Sequence, residues 1–136
     1  MSRFAFVTRD GGGNVPPAVG IAQELAARGH RVDFVGYGVQ RKRFAEGGFA
    51  FSALRRSGHF DVYGGTDPAQ RLAGLIRNVW ACPEHLEDIR DAVEDTATDV
   101  LVVDFLMQGA LASAAQLTIP VAVLAYSTVA GLVPPP

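Results

Sequence analysis

Near the amino terminus, the run Arg9-Asp10-Gly11-Gly12-Gly13-Asn14-Val15-Pro16-Pro17 gathers the residue types that make a ligand-facing loop. Consecutive glycines let a backbone pass close to a bound molecule. Asp10 adds a carboxylate, and Asn14 an amide that both donates and accepts. The obvious ligand for such a loop is a dinucleotide, and the pattern argues against it. Counting from Gly11, the sixth position of a G-x-G-x-x-G fingerprint falls on Pro16, and a later start does no better. The next apolar segment ends Val35-Gly36-Tyr37, without the acidic residue that would take a ribose hydroxyl, and Asp33 lies inside that segment. No Gly-Lys-Ser/Thr follows, so the phosphate-loop pattern fails as well. The plainer readings are a flexible glycine turn and a helix cap at Asn14. Residues before proline avoid the α region, so the helix is expected to start at Pro17, with Asn14 in the loop and open to a ligand.

Asp104 closes an apolar segment, where it reads either as a sheet-end cap or as a functional carboxylate. Of the histidines, His30 sits at the far end of the first helix, while His59 and His85 read as surface residues. Cys82 is the lone cysteine, with no disulfide or Cys-x-x-Cys partner, so no metal is expected and a cytoplasmic location is. The net charge is −2, and Arg41-Lys42-Arg43 and Arg55-Arg56 read as solvated faces, which argues against a nucleic-acid partner. No stretch approaches the roughly 18 apolar residues of a membrane span, and the start of the chain has no secretory pattern.

These residues must be held by something, and the chain supplies an alternating scaffold. Arg3–Thr8, Arg31–Gly36, Gly48–Leu54, Val100–Asp104 and Ile119–Ala125 read as short strands buried on both faces. The first helix carries Ala18, Ile21, Ala22 and Leu25 at helical spacing, with Pro17 in its first turn and Gly29 after its end. A second helix opens with Asp67 as cap and Pro68 at its first position, then repeats Leu72, Leu75, Ile76, Val79 and Trp80. A third starts near Pro83, with Leu86, Ile89 and Val93 inward and Glu84, Glu87, Asp88 and Asp91 outward. Met107–Leu117 is helical and small-residue-rich, and Arg56–Thr66 reads as loop. Strands alternating with helices define an α/β, Rossmann-like three-layer domain, a parallel sheet flanked by helices.

The stretch Gly13-Asn14-Val15-Pro16-Pro17, the helix ending Arg28-Gly29-His30-Arg31-Val32, the strand Val100–Asp104 with its small-residue helix, and Ile119-Pro120-Val121 together resemble the opening of GT-B glycosyltransferases. The branch most similar is the bacterial natural-product enzymes that act on macrolides, enediynes and aromatic polyketides. The resemblance covers essentially the whole chain but only the N-terminal half of a family enzyme. It implies one acceptor-binding domain over residues 1–136, with the nucleotide-sugar domain absent from it. It also implies inverting transfer of a sugar to a hydroxyl, with a loop histidine as base and a strand-end aspartate to orient it. Asp104 matches that aspartate; Asn14 stands at the histidine position and cannot act as a base. Asp10 is the substitute carboxylate in the same loop. The implied acceptor surface is Gly12, Gly13, Val15, Phe60, Trp80, Phe105 and Met107, although Trp80 and Met107 read more readily as ordinary core. The implied partners are a small hydrophobic acceptor and a separate donor-binding domain. A UDP- or dTDP-sugar is expected only with that second domain, and no cofactor on this one. The alternative is a non-catalytic binding or helper protein that keeps the fold.

Overall fold

The computed structural model describes residues 1–58, 61 and 64–126. The elements are β1 (Arg3–Val7), α1 (Val15–Ala27), β2 (Arg31–Gly36), a 3₁₀ turn (Gly38–Gln40) running into α2 (Arg41–Glu46), and β3 (Ala50–Ala53). Then come α3 (Pro68–Leu75) with a π-helical continuation (Ile76–Trp80), α4 (His85–Thr96), β4 (Val100–Asp104), α5 (Gln108–Ala114) and β5 (Val121–Leu124). The five strands form one parallel sheet in the order β3-β2-β1-β4-β5. The chain winds outward from β1 to β3, then returns to β4 beside β1. Strand order therefore reverses between β1 and β4, and the crevice beyond their carboxyl ends is where such sheets bind ligands.

Side chains alternate across the strands and split the core in two. Phe6, Phe34, Val102 and Leu124 face α1 and α2 and pack with Ala18, Ala22 and Phe44. Ala5, Val7, Val35, Leu101 and Val103 face the other way and pack with Ile89, Met107, Ala110 and Ala114 of the α4–α5 side. Phe34 stacks on Phe44 with ring centroids 3.9 Å apart, which anchors α2, a helix hidden in the sequence behind its basic residues.

Several expectations change. The first helix begins at Val15, so two prolines occupy its first turn, where no backbone donor is needed. Burial of Val15 in the α1-side core offsets the unfavourable pre-proline backbone. No residue of α3 is buried; Leu72 and Ile76 are exposed, and only Leu75, Val79 and Trp80 reach the core. The apolar stripe is real but seated on the rim. On α4, Asp88 and His85 are buried rather than outward, because the chain at Arg56–Ser57 and Tyr37 close over that flank. Finally, β5 is not covered on both faces: Val121 and Val123 are exposed on this edge strand. The expected Asp67 cap forms, its side chain accepting from the Ala69 N–H at 2.9 Å.

Candidate functional site

At the reversal point the loop after β1 meets the end of β4. Asn14 is the N-cap of α1, but its side chain makes no cap bond. It turns back into the loop: its Oδ1 accepts from the Gly11 N–H at 2.9 Å, and its Nδ2 donates to the Arg9 carbonyl at 2.7 Å. The same Nδ2 donates to Asp104 Oδ2 at 2.8 Å. Asn14 is 2% exposed and Asp104 fully buried. The expectation of an amide open to a ligand is therefore corrected: its polar atoms are spent on the protein. The loop geometry requires this arrangement. Gly12 has φ +76°, a region that disfavours side chains, and the Arg9 guanidinium lies where a side chain on Gly11 would have to go.

Asp104 gathers further donors. Its Oδ1 accepts from the Leu106 N–H at 2.9 Å and from the Tyr126 hydroxyl at 3.1 Å. That hydroxyl accepts in turn from Arg9 Nη2 at 3.2 Å. Burial holds the Tyr126 phenol above its usual pKa; the hydrogen bond from Arg9 works against this and the nearby Asp104 charge with it. The ring of Tyr126 meets Phe105 edge-on at 4.9 Å.

Asp10, the other loop carboxylate, accepts from the Gly12 N–H and pairs with Arg43 of α2, both at 3.3 Å. Gly13 is exposed and Phe105 half-buried. Val15 and Met107 are enclosed in opposite cores, so neither presents a surface to an acceptor. Trp80 is half-buried on the α4–α5 side, where it lines a groove of about 450 Å³ with Cys82, Pro83, Leu86, Gly109 and Ala112. Phe60 lies outside the described residues, as do His59 and Tyr63. Among the described residues no group of three or more His, Cys, Asp or Glu could hold a metal ion, and no helix is long and apolar enough to cross a membrane.

A second polar cluster sits at the carboxyl end of β2. The Tyr37 hydroxyl donates to the Asn78 carbonyl and contacts His85 Nε2 at 3.1 Å. Since a hydroxyl has one proton, His85 Nε2 is the donor in that contact. Burial drives the His85 pKa down to about 4, against the pull of Asp88 and Glu84, and pushes the Tyr37 phenol far up. Asp88 accepts from Arg56 N, Ser57 N, Ser57 Oγ and Arg56 Nη1. Burial alone would raise its pKa, but the Ser57 hydroxyl and the backbone donors outweigh it and lower the value. Burial also raises the Cys82 thiol, which keeps it protonated and unreactive. His30 receives the Ser2 N–H on its Nδ1 at 3.1 Å, at the amino-terminal edge of the sheet and remote from Asn14.

Arg9, Tyr37 and Tyr126 were missed as site residues. Each lies one or two residues beyond a strand's carboxyl end, close to the strand-end position that marks Asp104. That shared position is the signal the sequence offered.

The fold is a parallel Rossmann-like sheet that overlays part of several solved glycosyltransferase structures. The kitacinnamycin glycotransferase overlays 90% of this chain with a TM-score of 0.67 and 23% identity. The Streptomyces nogalater glycosyltransferase SnogD overlays 91% with a TM-score of 0.64 and 24% identity, and the calicheamicin glycosyltransferase CalG4 90% with 0.64 and 22%. The chain spans only 30%, 33% and 32% of those three structures, respectively. No protein-family model and no curated protein matches the sequence.

Proposed function

We propose that this chain is the acceptor-binding half of an inverting glycosyltransferase, whose sugar comes from a nucleotide donor and goes to a hydroxyl of a small, hydrophobic natural product. The observation that carries this reading is the Asn14–Asp104 contact at the strand-order reversal. There the resemblance calls for a histidine–aspartate pair. In such a reaction the base takes the acceptor proton, the acceptor oxygen bonds to the anomeric carbon, and the nucleoside diphosphate departs. Asn14 cannot take that proton, and Asp10 is committed to Arg43. The polypeptide of residues 1–136 is therefore expected to bind an acceptor without turning over. UDP- or dTDP-sugar would be held by the other half of the enzyme, and no cofactor by this one.

A second reading, a non-catalytic small-molecule-binding protein on the same fold, is favoured by one fact: the Asn14 amide is consumed in holding the loop. Calorimetry with polycyclic aglycones beside UDP- and dTDP-sugars tests the first claim. Aglycone binding without nucleotide supports it, whereas nucleotide binding alone overturns it. Asn14→His assayed with a complementary donor-binding domain separates the readings. Gained turnover favours the transferase half; tight aglycone binding with no turnover favours the binding protein.

A further inference from the structure

The Asp104 carboxylate is enclosed, and a buried charge needs donors on both oxygens. They are distributed unevenly. Among the described residues, Leu106 N and Tyr126 Oη both bond to Oδ1, while Oδ2 takes only the side chain at position 14. The direction of each bond is settled by valence. Arg9 Nη2 can only donate, so the Tyr126 oxygen accepts from it, and the single phenolic proton is left for Asp104. The cation thus stands one phenol away from the carboxylate rather than on it. A direct guanidinium–carboxylate pair would occupy both oxygens; the interposed phenol supplies a donor and keeps the Arg9 charge near by, yet leaves Oδ2 for position 14. The circuit closes through the Arg9 carbonyl, which accepts from Asn14.

We propose that Tyr126 and Arg9 are positioning residues that clamp Oδ1 of Asp104 and so aim Oδ2 at position 14. The proposal rests on the reading above, in which positions 14 and 104 stand where the resemblance calls for a base and its orienting carboxylate. Tyr126 stays protonated, as the relay requires, because its pKa lies above the usual phenol value. Positions 9, 104 and 126 then form the fixed part of the site, and residue 14 decides whether the carboxylate orients a base or holds a loop.

The test is made by proton NMR on the Asn14→His chain, without any donor domain. A histidine ring N–H bonded to Asp104 gives a sharp, strongly downfield resonance. Adding Tyr126→Phe removes one oxygen and leaves Oδ1 with the Leu106 N–H as its one remaining donor among the described residues. The resonance is expected to broaden beyond detection, or its exchange rate to rise by roughly tenfold or more, with the backbone amide spectrum otherwise preserved. Arg9→Met should do the same and Arg9→Lys should largely rescue it. In the parent chain the Asn14 side-chain amide gives a parallel readout: its protection from exchange should fall in Tyr126→Phe. This arm serves if the histidine variant does not fold. An unchanged downfield proton in Asn14→His/Tyr126→Phe overturns the proposal, and so does a folded Asn14→His chain that shows no such proton. Failure of the transferase reading has a different signature: the clamped proton is present, but no turnover appears with a donor domain.

Discussion

Replacing Asn14 by alanine exposes how much the loop depends on one amide. The substitution deletes three hydrogen bonds, from Gly11 N, to the Arg9 carbonyl and to Asp104 Oδ2, at 2.9, 2.7 and 2.8 Å. The two neutral bonds are each worth about 1 kcal/mol net, and the one to a charged group about 1.5–3 kcal/mol. Because Asp104 has no exposure to water, the lost donor is not replaced by solvent. The sum is a destabilisation of about 3–5 kcal/mol, a large part of the total for an ordinary domain. Urea unfolding is the assay, with the midpoint falling while the slope is unchanged. Asn14→Asp sharpens the test, since it sets a second carboxylate against the first. That variant should be the least stable near neutrality and should recover part of the difference on mild acidification, as one of the pair takes a proton. A loss below about 1 kcal/mol for Asn14→Ala would refute the claim that this amide organises the site.

Other outcomes follow from the same geometry. His85 has a folded pKa of about 4 against 6.5 for the free side chain, so the unfolded state binds the extra proton. Stability should be full above pH 6.5 and decline as pH falls toward 4, by an upper bound of about 3 kcal/mol; His85→Gln should flatten that slope in urea titrations. Asp88→Asn removes the anion held by Arg56 and Ser57 and should cost about 1.5–3 kcal/mol by chemical unfolding, the worth of hydrogen bonds to a charged group, because Arg56 keeps Glu87 and Asp91. It should also remove stability that the parent loses only in acid, because the Asp88 pKa is lowered. Gly109→Ala puts a methyl 2.8 Å from the Cys82 carbonyl oxygen and should lower stability by about 1–3 kcal/mol by forcing α5 from the Cys82 turn. Ala97 ends α4 in the left-handed region at φ +48°, so Ala97→Gly should raise the melting temperature slightly, worth up to about 1 kcal/mol.

Local patterns carried a great deal. The alternation of apolar strands and amphipathic helices was legible because periods of 2 and 3.6 residues are local properties. Strands β2 and β4 appear at the expected bounds for that reason. The cap at Asp67, the end of α1 at Gly29 and the strand-end position of Asp104 depend equally on neighbours in the chain. The resemblance implies a base at the position of Asn14, and an amide lacks that chemistry.

Tertiary structure decided the rest, because the deciding contacts join distant residues. Asn14 meets Asp104 across 90 positions and Arg9 meets Tyr126 across 117. No local pattern could reveal that the amide is buried and fully engaged rather than open to a ligand. Helical spacing placed Asp88 on the outward flank of α4, and His85 read as a surface residue, yet Ser57 covers the first and Tyr37 the second. Periodicity records which residues share a face; whether that face meets water depends on where the remaining chain packs, and there burial turned presumed surface groups into anchors.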